Sequence, residues 1–391
     1  MKHLSVVLKI VERCNINCTY CYMFNMDDQS YLKRPKYISI DTVKSVASFL
    51  RNGAIDLELD KVTLEFHGGE PLMLRRETFE EICNIFTDAL HDLVDISFVM
   101  QTNAMLINDK WVELFVKHDI GIGISLDGTK EYHDKYRLDH NGRGTYDRVV
   151  KKVKFLQDSD LMTNAGYRVS TLSVVQPEFD AKVIYRHFVD DLKIYNFDFL
   201  LPFFTYNHKL PYPVEIYGKF LVDLFFEWTK DDNPEVSIRF IDSLFNIYNG
   251  QPSLIYGVGP NNMIKNQDIL PLINISSNGD LSPTDELRVI EDLEYYSSAN
   301  VDTISLRDFL KAKVFAEINK AQQILPKSCQ ECCWQKICGG GAIVNRFDKA
   351  NNFNNPSVFC NGLKLLYKEL ANYLISNGFS IDDVSSRLSL N

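Results

Sequence analysis

Cys14-Asn15-Ile16-Asn17-Cys18-Thr19-Tyr20-Cys21-Tyr22 places three cysteines within eight residues, in the spacing C-x3-C-x2-C. The run before it, Leu4–Val11, is apolar except for Ser5 and Lys9 and reads as a first buried strand. The cysteines therefore fall on the loop leaving that strand. Three thiolates on one short loop can hold three irons of a cubane and leave the fourth iron with an open coordination position. A structural zinc site usually takes four ligands, often as paired C-x2-C units, and free thiols are the remaining reading.

Outward from this loop, short apolar runs alternate with helical patterns. Strands are expected at Lys61–Phe66, Asp95–Gln101, Gly121–Leu126, Arg168–Val175 and Phe197–Leu201. Helices are expected between them at Ile40–Arg51, Glu77–His91, Asp109–His118, Thr145–Gln157 and Phe179–Leu192. Several strands are continuously apolar, as strands covered on both faces are. Repeated βα units predict a parallel sheet with right-handed crossovers. About six units fit before residue 202, so the fold class is α/β, a partial (β/α)6 barrel rather than the eight units of a closed one. Ligand sites in such folds gather at the C-terminal ends of the strands, where the cysteine loop lies. Prolines 202, 211 and 213 break the pattern before an aromatic-rich helix, Pro213–Thr229, whose apolar residues recur at core spacing. A closing helix is expected at Gly362–Ile375, and the last dozen residues, rich in Ser and Asp, are expected to fray.

Composition excludes several classes. A hydrophobic fraction of 45% rules against a disordered chain. Lys and Arg number 42 against 52 Asp and Glu, a net charge of −10, with no long basic run, which argues against a nucleic-acid partner. The segment Met1–Val11 is too short for a membrane span, and Lys9, Glu12 and Arg13 rule against a signal peptide. Of nine cysteines, five more cluster between Cys329 and Cys360, and Cys83 stands alone in a helical pattern as a core residue. Tight clusters without a signal peptide favour metal ligation in a reducing, cytoplasmic compartment.

The C-x3-C-x2-C loop with Tyr22 directly after it resembles the signature of radical S-adenosylmethionine (SAM) enzymes. Glu65-Phe66-His67-Gly68-Gly69-Glu70-Pro71 resembles their GGEP motif, which implies that Gly68, Gly69 and Glu70 receive the SAM amino group. Gln101-Thr102-Asn103 resembles the QTN element, placing Gln101 and Asn103 near the ribose. Ser125, at the end of a strand, and Arg137, twelve residues on, match the Ser and Arg that contact the SAM carboxylate or ribose; a guanidinium fork suits a carboxylate. The resemblance implies a 4Fe–4S cluster on Cys14, Cys18 and Cys21 and a reductant such as flavodoxin or ferredoxin.

Cys329-x2-Cys332-x5-Cys338 and then Cys360 resemble a SPASM domain, with a zinc ribbon as the alternative. The expected division is a radical SAM core over residues 1–230 and a SPASM-like iron–sulfur domain over 231–391. Two positions depart from the family: Ala342 and Thr284 stand where cysteines are expected. The resemblance therefore implies one auxiliary 4Fe–4S cluster, on Cys329, Cys332, Cys338 and Cys360, and the loss of another. Asp285 follows Thr284 where sulfatase maturases place a catalytic Asp; a helix N-cap is the competing role. These features are most similar to maturases of ribosomally made peptides that form cyclophane (triceptide) cross-links, with a precursor peptide as substrate. A sulfatase-type maturase making formylglycine, and a non-catalytic iron–sulfur or zinc module that binds peptides, are the alternatives.

Overall fold

The computed structural model describes the chain apart from residues 27, 232, 252, 255–269, 291–298 and 389–391. Two compact units form. The first holds Met1–Leu126, Lys130–Thr171 and Asp268–Ala316, and the second holds Asp127–Thr129, Leu172–Gln267 and Glu317–Asn391.

In the first unit β1 (His3–Val11), β2 (Lys61–Gly68), β3 (Asp95–Thr102) and β4 (Ile120–Ser125) pair in parallel, in the order β4-β3-β2-β1. The crossovers are the helices Ile40–Leu57, Arg76–Leu90 and Asp109–Lys117. Ser39 and Asn108 start two of them by accepting from the backbone N–H three residues on. Alternate residues of β2 divide the labour. Leu64 and Phe66 are buried, with Phe66 stacked on Phe98 and edge-on to Phe79, while Thr63, Glu65 and His67 take the opposite face. The first helix runs past Asn52-Gly53, where a stop was expected. Gly53 packs against Leu306, and a Cβ there would lie 2.5 Å from Leu306 Cδ2.

The second unit takes β5 (Ser170–Val174) beyond its first two residues, β6 (Asn196–Leu200) and β7 (Ser237–Ile238); β6 and β7 are parallel. The helices Val214–Thr229 and Cys360–Ser376 lie backbone to backbone, because Gly218 and Gly362 face each other. A Cβ on Gly218 would sit 2.5 Å from the Gly362 Cα. The tail expected to fray is helical over Ile381–Leu388, since Val384 and Leu388 are buried and Tyr248 donates to Asp383 at 2.6 Å.

The compact units do not follow a boundary at residue 230. After residue 268 the chain returns to the first unit, where β8 (Ile273–Ile275) pairs in parallel with β1 on the side away from β2, Val6 opposite Ile273. β9 (Leu281–Ser282) then pairs antiparallel with β8. The physical reason is the backbone of β1, a strand buried from Val6 to Val11 whose second row of donors and acceptors needs a partner. This return brings Thr284 and Asp285 to the end of β1. Among the described residues no helix is long and apolar enough to cross a membrane.

Candidate active site and thiol centres

The loop carrying Cys14, Cys18 and Cys21 leaves the C-terminal end of β1 and is pinned on several sides. Asn17 N and Thr19 N donate to the carbonyls of Leu138 and Tyr136. Asn25 Nδ2 donates to the Cys18 carbonyl at 2.7 Å. Gly69 N donates to the Val11 carbonyl and Glu70 N to the Arg13 carbonyl. That approach requires glycine: a Cβ on Gly69 would lie 2.1 Å from the Arg13 carbonyl oxygen, and one on Gly68, at φ +136°, 2.0 Å from that of Val11. Burial pushes Cys14 and Cys21 up, reinforced by Glu70 at Cys14 and by Cys18 at Cys21, which reaches about 11. Metal-free, they are thiols at neutral pH. A metal would have to displace their protons.

The residues matching the SAM-contact motifs converge around this loop. Glu70 is buried; it accepts from Leu72 N (3.0 Å), Thr102 Oγ1 (2.7 Å) and Asn103 N (2.8 Å). It thus ties the GGEP turn to the QTN turn and has about one acceptor position left of a carboxylate's four. Asn103 Nδ2 donates to Asn15 Oδ1 at 2.7 Å, beside Cys14. Gln101 donates to Ser125 Oγ at 2.9 Å across β3 and β4. Arg137 is buried and donates to Tyr20 Oη at 2.8 Å; burial raises both Cys21 and Glu70, and Arg137 offsets a small part of that rise.

Asp285 does not cap a helix. Thr284 occupies the cap position of the turn Asp285–Val289, and the Asp285 carboxylate turns inward. Lys9 Nζ and Tyr22 Oη both donate to its Oδ2, and Arg288 Nε lies 2.7 Å from its Oδ1. Burial would raise this carboxyl, but Lys9 and then Arg288 override it and hold it well below the usual range. Lys9 is fully buried. Its other donors go to His67 Nδ1 at 2.8 Å and Met23 Sδ at 3.5 Å. Since an ammonium only donates, His67 must accept at Nδ1 and carry its proton on Nε2. Burial and Lys9 push His67 down to about 3, so it is neutral. Arg288 also pairs with Asp28 at 3.1 Å. Sequence reasoning missed Lys9, Tyr22, His67, Asp28 and Arg288 as members of one cluster. The available signal was Lys9, a lone cation inside an apolar strand.

In the second unit, Cys329, Cys332, Cys338 and Cys360 line one cavity of about 310 Å³, together with Tyr206, Trp334 and Tyr367. Cys333 is exposed and lies outside it. Cys360 is the first residue of its helix, and Cys338 ends a short helix before three successive glycines at positive φ, 58°, 89° and 75°. Burial pushes Cys338 up to about 11. Among the described residues no three His, Cys, Asp or Glu side chains close on a single ion. A cubane takes its four thiolates on four different irons, so four cysteines around a cavity suit it as a donor set.

A thiol loop at the strand ends of a partial parallel barrel, with buried polar groups around it, defines an iron–sulfur barrel enzyme. Residues 8–184 match the Radical SAM superfamily, so the chain carries a radical SAM domain and is a radical SAM enzyme. SAM and 4Fe–4S clusters are its cofactors. The cysteine-type anaerobic sulfatase-maturating enzyme of Clostridium novyi is 26% identical over 376 residues, 94% of this chain and 96% of that protein. In fold, the chain is similar to native anSMEcpe with bound AdoMet and the Cp18Cys peptide, with a TM-score of 0.80, 22% identity and coverage of 96% and 98%. It is also similar in fold to Streptococcus suis SuiB bound to precursor peptide SuiA, with a TM-score of 0.56, 18% identity and coverage of 92% and 76%.

Proposed function

We propose that this enzyme modifies a ribosomally made precursor peptide, joining an aromatic ring carbon to the β-carbon of a nearby residue. The observation that carries the reading is the cysteine pattern. Four thiols line one cavity in the second unit, and Thr284 and Ala342 stand where a further cluster would need cysteine. Relatives named as sulfatase maturases span nearly the whole chain and support action on a peptide. They also favour a second reading, oxidation of a Ser or Cys to formylglycine. The functional parts would be 1–230 for the radical SAM core and 231–391 for the SPASM-like part, and the site would lie in the cytoplasm with a flavodoxin or ferredoxin as reductant.

Cys14, Cys18 and Cys21 would hold the SAM-binding cluster, and Cys329, Cys332, Cys338 and Cys360 the auxiliary one. When bound, these groups supply an adenosyl radical that removes a hydrogen atom from carbon, and a route for one electron. Gly68, Gly69 and Glu70 would take the SAM amino group, Arg137 and Ser125 its carboxylate or ribose, and Gln101 and Asn103 the ribose. The chain's own residues must then handle one proton. Cross-linking removes two hydrogens in all: one as an atom from the β-carbon, one as a proton from the ring carbon with an electron. A ring adduct that has lost the electron is a strong acid, because losing the proton restores aromaticity. Asp285, always ionised beside Lys9 and Arg288, is a weak base, and it suffices for so acidic a proton. Tyr22 and Lys9 hold its Oδ2 in place.

Mass spectrometry of the precursor, found by reading the open reading frames beside this gene, tests the proposal. A loss of two hydrogens with two residues tied in one fragment supports cross-linking. A reactive aldehyde supports formylglycine instead, and an unchanged peptide supports a binding module. Asp285→Asn should still cleave SAM and lose the product at least tenfold; unchanged yield would leave Asp285 a purely structural role.

A further inference from the structure

Arg346 is fully buried in the second unit, in the turn Val344–Arg346. Its Nε donates to the Asn355 carbonyl at 3.0 Å and its Nη2 to the Ala321 carbonyl at 2.9 Å. Among the described residues no carboxylate pairs with it. Two neutral carbonyls satisfy donors but do not neutralise a charge, and an isolated ion in a protein interior is costly. Gly340, which lines the thiol cavity, is also a residue the guanidinium packs against. Burial disfavours the Arg346 cation, and ionisation of Cys329 and then of Cys338 offsets that penalty. The three-glycine turn after Cys338 leaves room for the guanidinium: a Cβ on Gly340 would lie 3.3 Å from Arg346 Nη1.

We propose that Arg346 is the fixed counter-charge of the auxiliary cluster and sets its reduction potential upward. The inference rests on the reading of the four cysteines as cluster ligands. Four thiolates on an iron–sulfur core leave net negative charge, and reduction adds one more negative unit. A buried cation packed against the cavity wall therefore favours the reduced state, and net charge near the cluster is one of the levers that set its potential. In this role Arg346 is a positioning and tuning residue that touches no substrate.

The test uses the full chain with Cys14, Cys18 and Cys21 replaced by Ala, so that only the C-terminal site can hold iron. About four irons in this parent uphold the ligand reading, and zinc or no metal sinks that reading whatever Arg346 does. Arg346→Lys keeps the charge and loses the fork; Arg346→Gln keeps amide donors for the carbonyls and loses the charge. Iron content and an anaerobic redox titration followed by electron paramagnetic resonance are read on both. The counter-charge role predicts that Arg346→Lys stays near the parent. Arg346→Gln should then lower the reduced-to-oxidised ratio about tenfold at fixed potential, about 59 mV for one electron, or lose its iron. The reverse pattern, with Gln like the parent and Lys shifted or empty, would make Arg346 a backbone clamp and overturn the proposal. Loss of the cluster from both variants, or no shift in either, would overturn it too.

Discussion

At the scale of the residue, Lys9 carries the most consequence. Its ammonium is fully buried, and its donors go to Asp285, His67 and Met23. Removing one partner of a buried ion pair leaves the other charge stranded. Arg288 remains to share Asp285, so Lys9→Met should cost about 3 kcal/mol, near the lower end for such pairs. Urea denaturation of the anaerobic enzyme reads this as a lower midpoint at unchanged slope. His67 sets a pH dependence. Its folded value of about 3, against about 6.5 when unfolded, means the unfolded chain binds one more proton between those limits. Stability is therefore present above about 6.5 and is lost as the pH falls toward 3. His67→Gln should flatten the profile between about pH 6.5 and 4 by close to one proton, about 1.4 kcal/mol per pH unit. An unchanged slope in that window would show that His67 is not the group that titrates.

At the scale of the element, the cysteine loop depends on how closely β2 exits past β1. Gly68 and Gly69 let the two backbones touch, and Glu70 then ties that exit to the end of β3 through Thr102 and Asn103. Gly69→Ala would put a methyl group 2.1 Å from the Arg13 carbonyl oxygen, a backbone atom that cannot swing aside. The strand ends must separate, and the loop loses its anchor. Iron content of the reconstituted variant should fall by about half, as the N-terminal site empties, while the C-terminal thiols, in the other unit, keep theirs. Retention of full iron with normal SAM cleavage would show that the loop does not need this contact.

At the scale of the whole molecule, two separate thiol centres predict about eight irons in the reconstituted enzyme, and about four once Cys14, Cys18 and Cys21 are replaced by Ala. About twelve irons would mean that ligands other than cysteine restore a further cluster. Much of this architecture was legible before any coordinates. The parallel strands and their crossovers are written locally, in apolar runs of strand length alternating with helical periodicity, and both cysteine groups declare themselves by spacing over a few residues. β8 and β9 were not legible: each is two or three residues long, too short to show a period, and they form because β1 has a free edge to fill. The Lys9–Asp285 pair joins residues 276 positions apart, and Arg346 packs against the glycine turn that follows Cys338. Sequence by itself determined the barrel, its cysteine loop and the thiols of the C-terminal centre, because those follow from neighbours in the chain. The buried charges and their partners were decided only by the tertiary structure. A charge survives in the interior through what the fold places against it, and no local pattern of residues records that.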